Sequence, residues 1–147
     1  MPPRLLLVNG PNLNQLGSRE PDIYGRETLA DIEKQCGAAA KKLGLALDCF
    51  QSNHEGELVD AIQKAGGNCA GIILNAGAYT HTSIAIMDAL LAVSIPVIEV
   101  HMSNIFRREE FRHESYVSKA AKGVICGFGS RSYLLAIEAM ADLARSK

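Results

Sequence analysis

The sequence has no cysteines in CxxC spacing and no HxxxH or HExxH pair among its histidines, so the short signatures of a zinc or iron site are missing and no metal is expected. Its four cysteines, Cys36, Cys49, Cys69 and Cys126, are flanked by apolar or small residues and read as reduced thiols used as small hydrophobes. Neither sign of charge is in excess. The balance of 15 Lys+Arg against 16 Asp+Glu leaves −1, which gives no electrostatic reason to bind nucleic acid or an anionic membrane surface. No apolar run approaches the roughly 20 residues that a membrane span needs. The apolar residues after Arg4 are too few for the core of a signal peptide, and a cytoplasmic location is expected. There is no GKS or GKT after a Gly-rich loop, which excludes a P-loop. Gly127-Phe128-Gly129 lacks the third glycine of a dinucleotide fingerprint and follows the last strand instead of the first. No lysine lies in an apolar segment that could lower its pKa, which argues against Schiff-base chemistry.

What is present suits one domain over residues 1–147, with 48% apolar residues and length enough for a sizeable core. Leu5-Leu6-Leu7-Val8 reads as a buried strand. The turn-rich stretch from Asn9 to Gly25 follows, broken by Gly10, Pro11, Gly17, Pro21 and Gly25. It is long for a βα loop, where roughly two to six residues are usual. Thr28, with Asp31 three residues on, predicts a capped helix to about Leu43, where Gly44 stops it. The alternation over Leu45–Gln51 predicts a half-covered strand near an edge. A helix over Glu57–Ala65 is expected to end at Gly66-Gly67-Asn68. Ala70–Asn75 is apolar on both faces and reads as a central strand.

The helix Ile84–Val93 is apolar nearly all round, which predicts burial on more than one side and hints at a subunit interface; Asp88 is its odd carboxylate. Pro96–His101 is a fourth strand. The long polar connection from Met102 to about Lys122 is expected to hold short helical turns. A fifth strand over Gly123–Phe128 and a helix from Ser130 to Arg145 close the chain. Five strands alternating with helices predict an α/β, flavodoxin-like three-layer sandwich with a parallel sheet in the order 2-1-3-4-5. In that order the loops after strands one, three and four converge. They bring together Asn12, Arg19 and Tyr24; Asn75 and His81; and His101, Ser103, Arg108 and Arg112.

Glu99 and His101 are two apart on a strand and point to one face. They suit either a general acid whose ring is fixed by a carboxylate or a structural salt bridge at a strand end. Tyr24 is either a lid or stacking residue or a base. As a base its reference pKa of about 10 must fall by some 2–3 units. One surface arginine supplies only about 1 kcal/mol. A tyrosinate therefore needs two cations and exclusion of water, with Arg19 and then Arg108 or Arg112 as the supply. Met102-Ser103-Asn104 could offer backbone N–H groups to an anion. Ser103 lacks the GxSxG elbow of a nucleophile.

Asn9-Gly10-Pro11-Asn12-Leu13-Asn14, Gly17-Ser18-Arg19-Glu20-Pro21, Ile23-Tyr24-Gly25, Asn75 to Ser83 and Glu99 to Asn104 closely resemble type II 3-dehydroquinate dehydratase, over nearly the whole chain. The resemblance implies the flavodoxin-like fold and no metal or organic cofactor. It implies conversion of 3-dehydroquinate to 3-dehydroshikimate and water in the shikimate route to aromatic amino acids. By the same resemblance Tyr24 is the tyrosinate base, Arg19 and Arg108 its cations, and Asn12 the residue that positions an enolate-binding water. His101, oriented by Glu99, protonates the departing hydroxyl. Asn75, His81 and Arg112 bind ring hydroxyls, and Met102-Ser103 takes the carboxylate. Asp88 reaches the site of a neighbouring subunit in a trimer, four trimers forming a dodecamer. The segment Gly17–Gly25 is then a lid expected to be mobile without ligand. Position 102 is more often leucine or isoleucine in the family, and Met102 is nearly volume-conserving.

The same reaction also serves quinate breakdown, which the sequence does not distinguish. The competing class is a non-catalytic flavodoxin-like binding module. A receiver would need a phosphoacceptor aspartate where this chain has Asn9 and Asn75, and a flavin binder would be yellow.

Overall fold

The computed structural model describes residues 1–18, 22 and 26–145. Arg19 and Tyr24 lie outside the described residues, and so does the expectation that their loop is mobile. The strands are β1 (Arg4–Asn9), β2 (Ala46–Gln51), β3 (Gly71–Asn75), β4 (Val97–His101) and β5 (Gly123–Cys126). Every pairing is parallel and the order is 2-1-3-4-5, as the alternation of elements predicts. β3 and β4 are buried along their whole length, whereas β2 and β5 at the edges are partly exposed.

The period-2 alternation of the strands builds two cores. Leu5, Leu7, Ile73, Ile98 and Val100 face α1 (Leu29–Lys42) and α4 (Arg131–Arg145), packing on Ile32, Cys36, Tyr133, Ile137 and Met140. Val8, Ile72, Leu74 and Val97 face α2 (Glu55–Asn68) and α3 (Ile84–Ala92), packing on Leu58, Ile62, Ile86 and Leu90. Each fully buried side chain of this size contributes roughly 1.5–3 kcal/mol. The expected start of α1 is realised as a capping box. The Thr28 hydroxyl accepts the Asp31 N–H, and the Asp31 carboxylate accepts the Thr28 N–H.

One expectation about the helices needs correction. α2 does not stop at Gly66-Gly67-Asn68 but runs through it, and Cys69 caps it by donating its N–H to the Ala65 carbonyl. Gly66 is there for packing, since a Cβ at that position would come within 2.7 Å of Val93 Cγ1. Within a single chain α3 is covered on one side only: Ile86, Ala89 and Leu90 are buried, while Ile84 and Leu91 are 53% and 58% exposed. Its outward apolar face has no cover among the described residues.

All four cysteines are free thiols. Cys36 fits the expected hydrophobic role, and burial pushes its pKa up to about 12. Cys49 is exposed on β2, so it is not a core residue.

Candidate active site

The carboxyl ends of β1, β3 and β4 open into one cleft. Its lining includes Asn12 and Leu16 from the first loop, Asn75, Gly77 and His81 from the end of β3, and His101, Met102, Ser103, Arg108 and Arg112 from the end of β4. Eight of the residues expected from the sequence therefore meet here: Asn12, Asn75, His81, His101, Met102, Ser103, Arg108 and Arg112. Glu99 lies behind His101. Asp88 is exposed on α3 and is not part of the lining.

The floor is built where β1 and β3 turn together. Gly10 donates its N–H to the Asn75 carbonyl at 2.8 Å, and a Cβ on Gly10 would lie 2.4 Å from the Ala76 carbonyl oxygen. Gly77, at φ +60°, folds under Pro11 and donates its N–H to Asn75 Oδ1 at 3.1 Å. Just beyond, Asn12 holds φ +70°, the one positive φ of a non-glycine residue among those described. Such a conformation costs on the order of 1–3 kcal/mol and collects at functional sites. The Asn12 N–H is tied to Asn53 Oδ1 at 3.0 Å, while its side chain stays exposed to the cleft.

A buried network behind the floor was not foreseen from the sequence. Asn9 and Asn75 both point toward α4, where the Tyr133 hydroxyl receives the Asn75 amide at 2.8 Å and donates to Asn9 Oδ1 at 2.6 Å. Burial pushes the Tyr133 phenol up, so it stays protonated as the donor. Asn75 thus has its carbonyl on Gly77 and one amide hydrogen on Tyr133, with the other left to face the cleft.

Glu99 and His101 point to the opposite face of β4, as their spacing requires. Glu99 Oε2 accepts from His101 Nε2 at 2.5 Å in a pair that is nearly or wholly buried. Two serines from the polar connection complete the carboxylate: Ser115 donates to Oε2 at 2.8 Å and Ser118 donates to Oε1. Burial pushes the Glu99 carboxyl up, but the hydrogen bond and charge of His101, with the hydrogen bonds from Ser118 and Ser115, together outweigh it and hold it below the usual value. With Nε2–H committed to Glu99, Nδ1 of His101 is the nitrogen left for a ligand.

His81 stacks beside His101, their ring centroids 6.4 Å apart and 18° from parallel. Its Nδ1–H donates to the Glu114 carbonyl at 2.7 Å, leaving Nε2 as an acceptor. Burial lowers the His81 pKa, with His101 and Arg112 pushing the same way, so the ring is neutral at neutral pH.

Arg108 donates to Ser103 Oγ at 3.4 Å, and Arg112 Nε pairs with Glu109 at 3.1 Å. Among the described residues no backbone acceptor takes the Met102 or Ser103 N–H. The two arginines and the two N–H groups give the cleft donors for an anion, and His81 and His101 give it groups that can meet hydroxyls. Nothing in the local sequence marks Ser115 or Ser118, which sit 16 and 19 residues from their partner in a loop full of polar side chains.

Residues 3–141 match the family described as Dehydroquinase class II. A 3-dehydroquinate dehydratase of Prochlorococcus marinus is 60% identical over 134 residues, 91% of this chain and 92% of that protein. One of Rhizobium johnstonii is 57% identical over 139 residues, 95% of this chain and 96% of that one. The crystal structure of type II dehydroquinase from Butyrivibrio crossotus superposes with a TM-score of 0.91 at 47% identity, over 95% of this chain and 97% of that chain. The chain belongs to the class II dehydroquinase family.

Proposed function

We propose that this chain removes water from 3-dehydroquinate by anti elimination through an enolate, with Tyr24 as the base and His101 as the acid. The coarse activity, that of a dehydroquinate dehydratase and hydro-lyase, comes with the family. The finer reading rests on the Glu99–His101 pair, whose buried ion-pairing geometry at the mouth of a polar cleft suits an acid better than a structural bridge.

In this reading Tyr24, as tyrosinate, takes the proton from the carbon alpha to the substrate ketone, and the electron pair moves into the carbonyl to give the enolate. Arg19 and Arg108 hold the phenolate charge, and Asn12 positions a water on the enolate oxygen. The enolate then collapses, the carbon–oxygen bond beta to the ketone breaks, and the proton on His101 Nδ1 leaves with the hydroxyl as water. Glu99 balances the imidazolium before the transfer and fixes the ring afterwards.

Asn75, through its free amide hydrogen, His81, through Nε2, and Arg112 bind ring hydroxyls. The Met102 and Ser103 N–H groups with the Ser103 hydroxyl take the substrate carboxylate. No metal or organic cofactor takes part. Asp88, exposed beside Ile84 and Leu91 on the uncovered face of α3, is suited to reach the site of a neighbouring subunit. That face supports assembly as a trimer, four of which make the dodecamer we expect. The place of action is the cytoplasm, in the shikimate route.

The test is to add 3-dehydroquinate to the pure chain and follow the ultraviolet absorbance of the enone product. Growth of that absorbance without added metal or cofactor is expected. Its absence would leave the family resemblance without the activity.

A further inference from the structure

We propose that Ser115 and Ser118 are positioning residues for the acid step, holding both oxygens of Glu99 so that one is aimed at the His101 ring. The inference rests on the reading of His101 as the acid and adds to it the parts that orient the pair.

The geometry is specific. Ser115 Oγ accepts the Ser118 N–H at 3.0 Å, so its single hydroxyl hydrogen is free to go to Glu99 Oε2, the oxygen that also meets His101. Ser118 takes the other oxygen. A carboxylate offers about four acceptor sites. Three donors fill most of them and leave Glu99 little freedom to turn.

The serines are themselves held. Val117 between them is 0% exposed, and the Tyr116 N–H donates to the Thr80 carbonyl at 2.9 Å. One residue earlier the Glu114 carbonyl fixes the His81 ring. A single short segment therefore orients both histidines of the cleft, one directly and one through Glu99.

Among the described residues Glu99 has one ion pair, with His101. In the sheet its neighbours are Leu74 of β3 and Val124 of β5. Among the described residues, His101 acts on Glu99 directly, and His81 and Arg112 act on each other beside it. The other titratable groups described on the elements over that face are Glu55, Glu57, Asp60 and Lys64 of α2, Asp88 of α3, and Glu114, Tyr116 and Lys119 of the serine segment. Burial alone would favour a neutral Glu99, which cannot stabilise an imidazolium. The hydrogen bond and charge of His101 keep the carboxylate ionised, and the two hydroxyl donors add to them.

The test compares the Ser115→Ala/Ser118→Ala double variant, the corresponding threonine pair and His101→Ala, assayed with 3-dehydroquinate across pH. At neutral pH the double alanine variant is expected to lose about ten- to a hundredfold in kcat, part of the roughly 10²–10⁴ that a general acid contributes. KM should stay within about twofold. The deficit should widen as pH falls, because Glu99 without its donors takes up a proton at higher pH. Threonine keeps the hydroxyls and should restore most of the rate. A loss by the same factor at every pH, or a raised KM with kcat intact, would overturn the proposal. If His101→Ala turns over normally, the acid reading itself fails. If His101→Ala is slow and the double alanine variant is normal, only the positioning role fails. Should the double variant not fold, the single variants carry the test, each with the same pH-dependent deficit at smaller size, and flat profiles in both would overturn it.

Discussion

Glu99 Oε2 stands 2.5 Å from His101 Nε2 at the point where β4 ends and the cleft begins. Glu99→Gln keeps the shape and one acceptor but removes the charge that stabilises an imidazolium. We expect kcat to fall by about 10², within the range a general acid contributes, with KM nearly unchanged. Steady-state kinetics on the variant check this.

Tyr133 is the second lever on the site. Tyr133→Phe leaves Asn9 Oδ1 and the Asn75 amide without their shared partner in a buried place. Each such loss costs about 1–3 kcal/mol, so the midpoint of urea unfolding should drop clearly. KM should rise as well, since the Asn75 amide loses its fixed orientation.

Two glycines should respond in opposite directions to alanine. At Gly10 the new methyl meets the Ala76 carbonyl oxygen at 2.4 Å, a backbone atom that cannot move aside, and overpacking of this kind costs about 1–3 kcal/mol. At Gly67, exposed inside α2, a Cβ meets nothing within 4 Å. There the helix should gain roughly 0.5–1 kcal/mol. Thermal unfolding of the two variants side by side distinguishes them.

Acid should destabilise the fold in two overlapping stages. His81 has a folded pKa below its ordinary 6.5, so the unfolded chain binds its proton first and stability begins to fall as pH drops through that value. Glu99 is held below its ordinary 4.5, so its contribution is present above that value and is lost as pH falls through the lower folded one. Unfolding free energy measured from pH 7 down to pH 3 should decline throughout, and His81→Gln should flatten the upper part of the decline.

How much could be read from the sequence follows from what each feature depends on. β3 is apolar on both faces and β2 on one, so their central and edge places were legible from residues within each strand. The Thr28–Asp31 box is likewise local. The end of α2 was misread because Gly66 answers to Val93 on another element. The outer face of α3 is apolar in sequence, and nothing in one chain covers it. Among site residues, Asn12, Asn75, His81 and His101 stood out because polar residues at strand ends are conspicuous. Ser115, Ser118 and Tyr133 did not, since their partners lie 16 to 124 residues away and no periodicity links them.

The roles of base and acid separate most directly in deuterium oxide, with proton NMR following 3-dehydroquinate in the presence of each variant. In His101→Ala the base remains, so deuterium should enter the substrate at the carbon alpha to the ketone while 3-dehydroshikimate forms slowly. In Tyr24→Phe neither exchange nor product should appear. Exchange in Tyr24→Phe, or product at the unaltered rate in His101→Ala, would contradict the account.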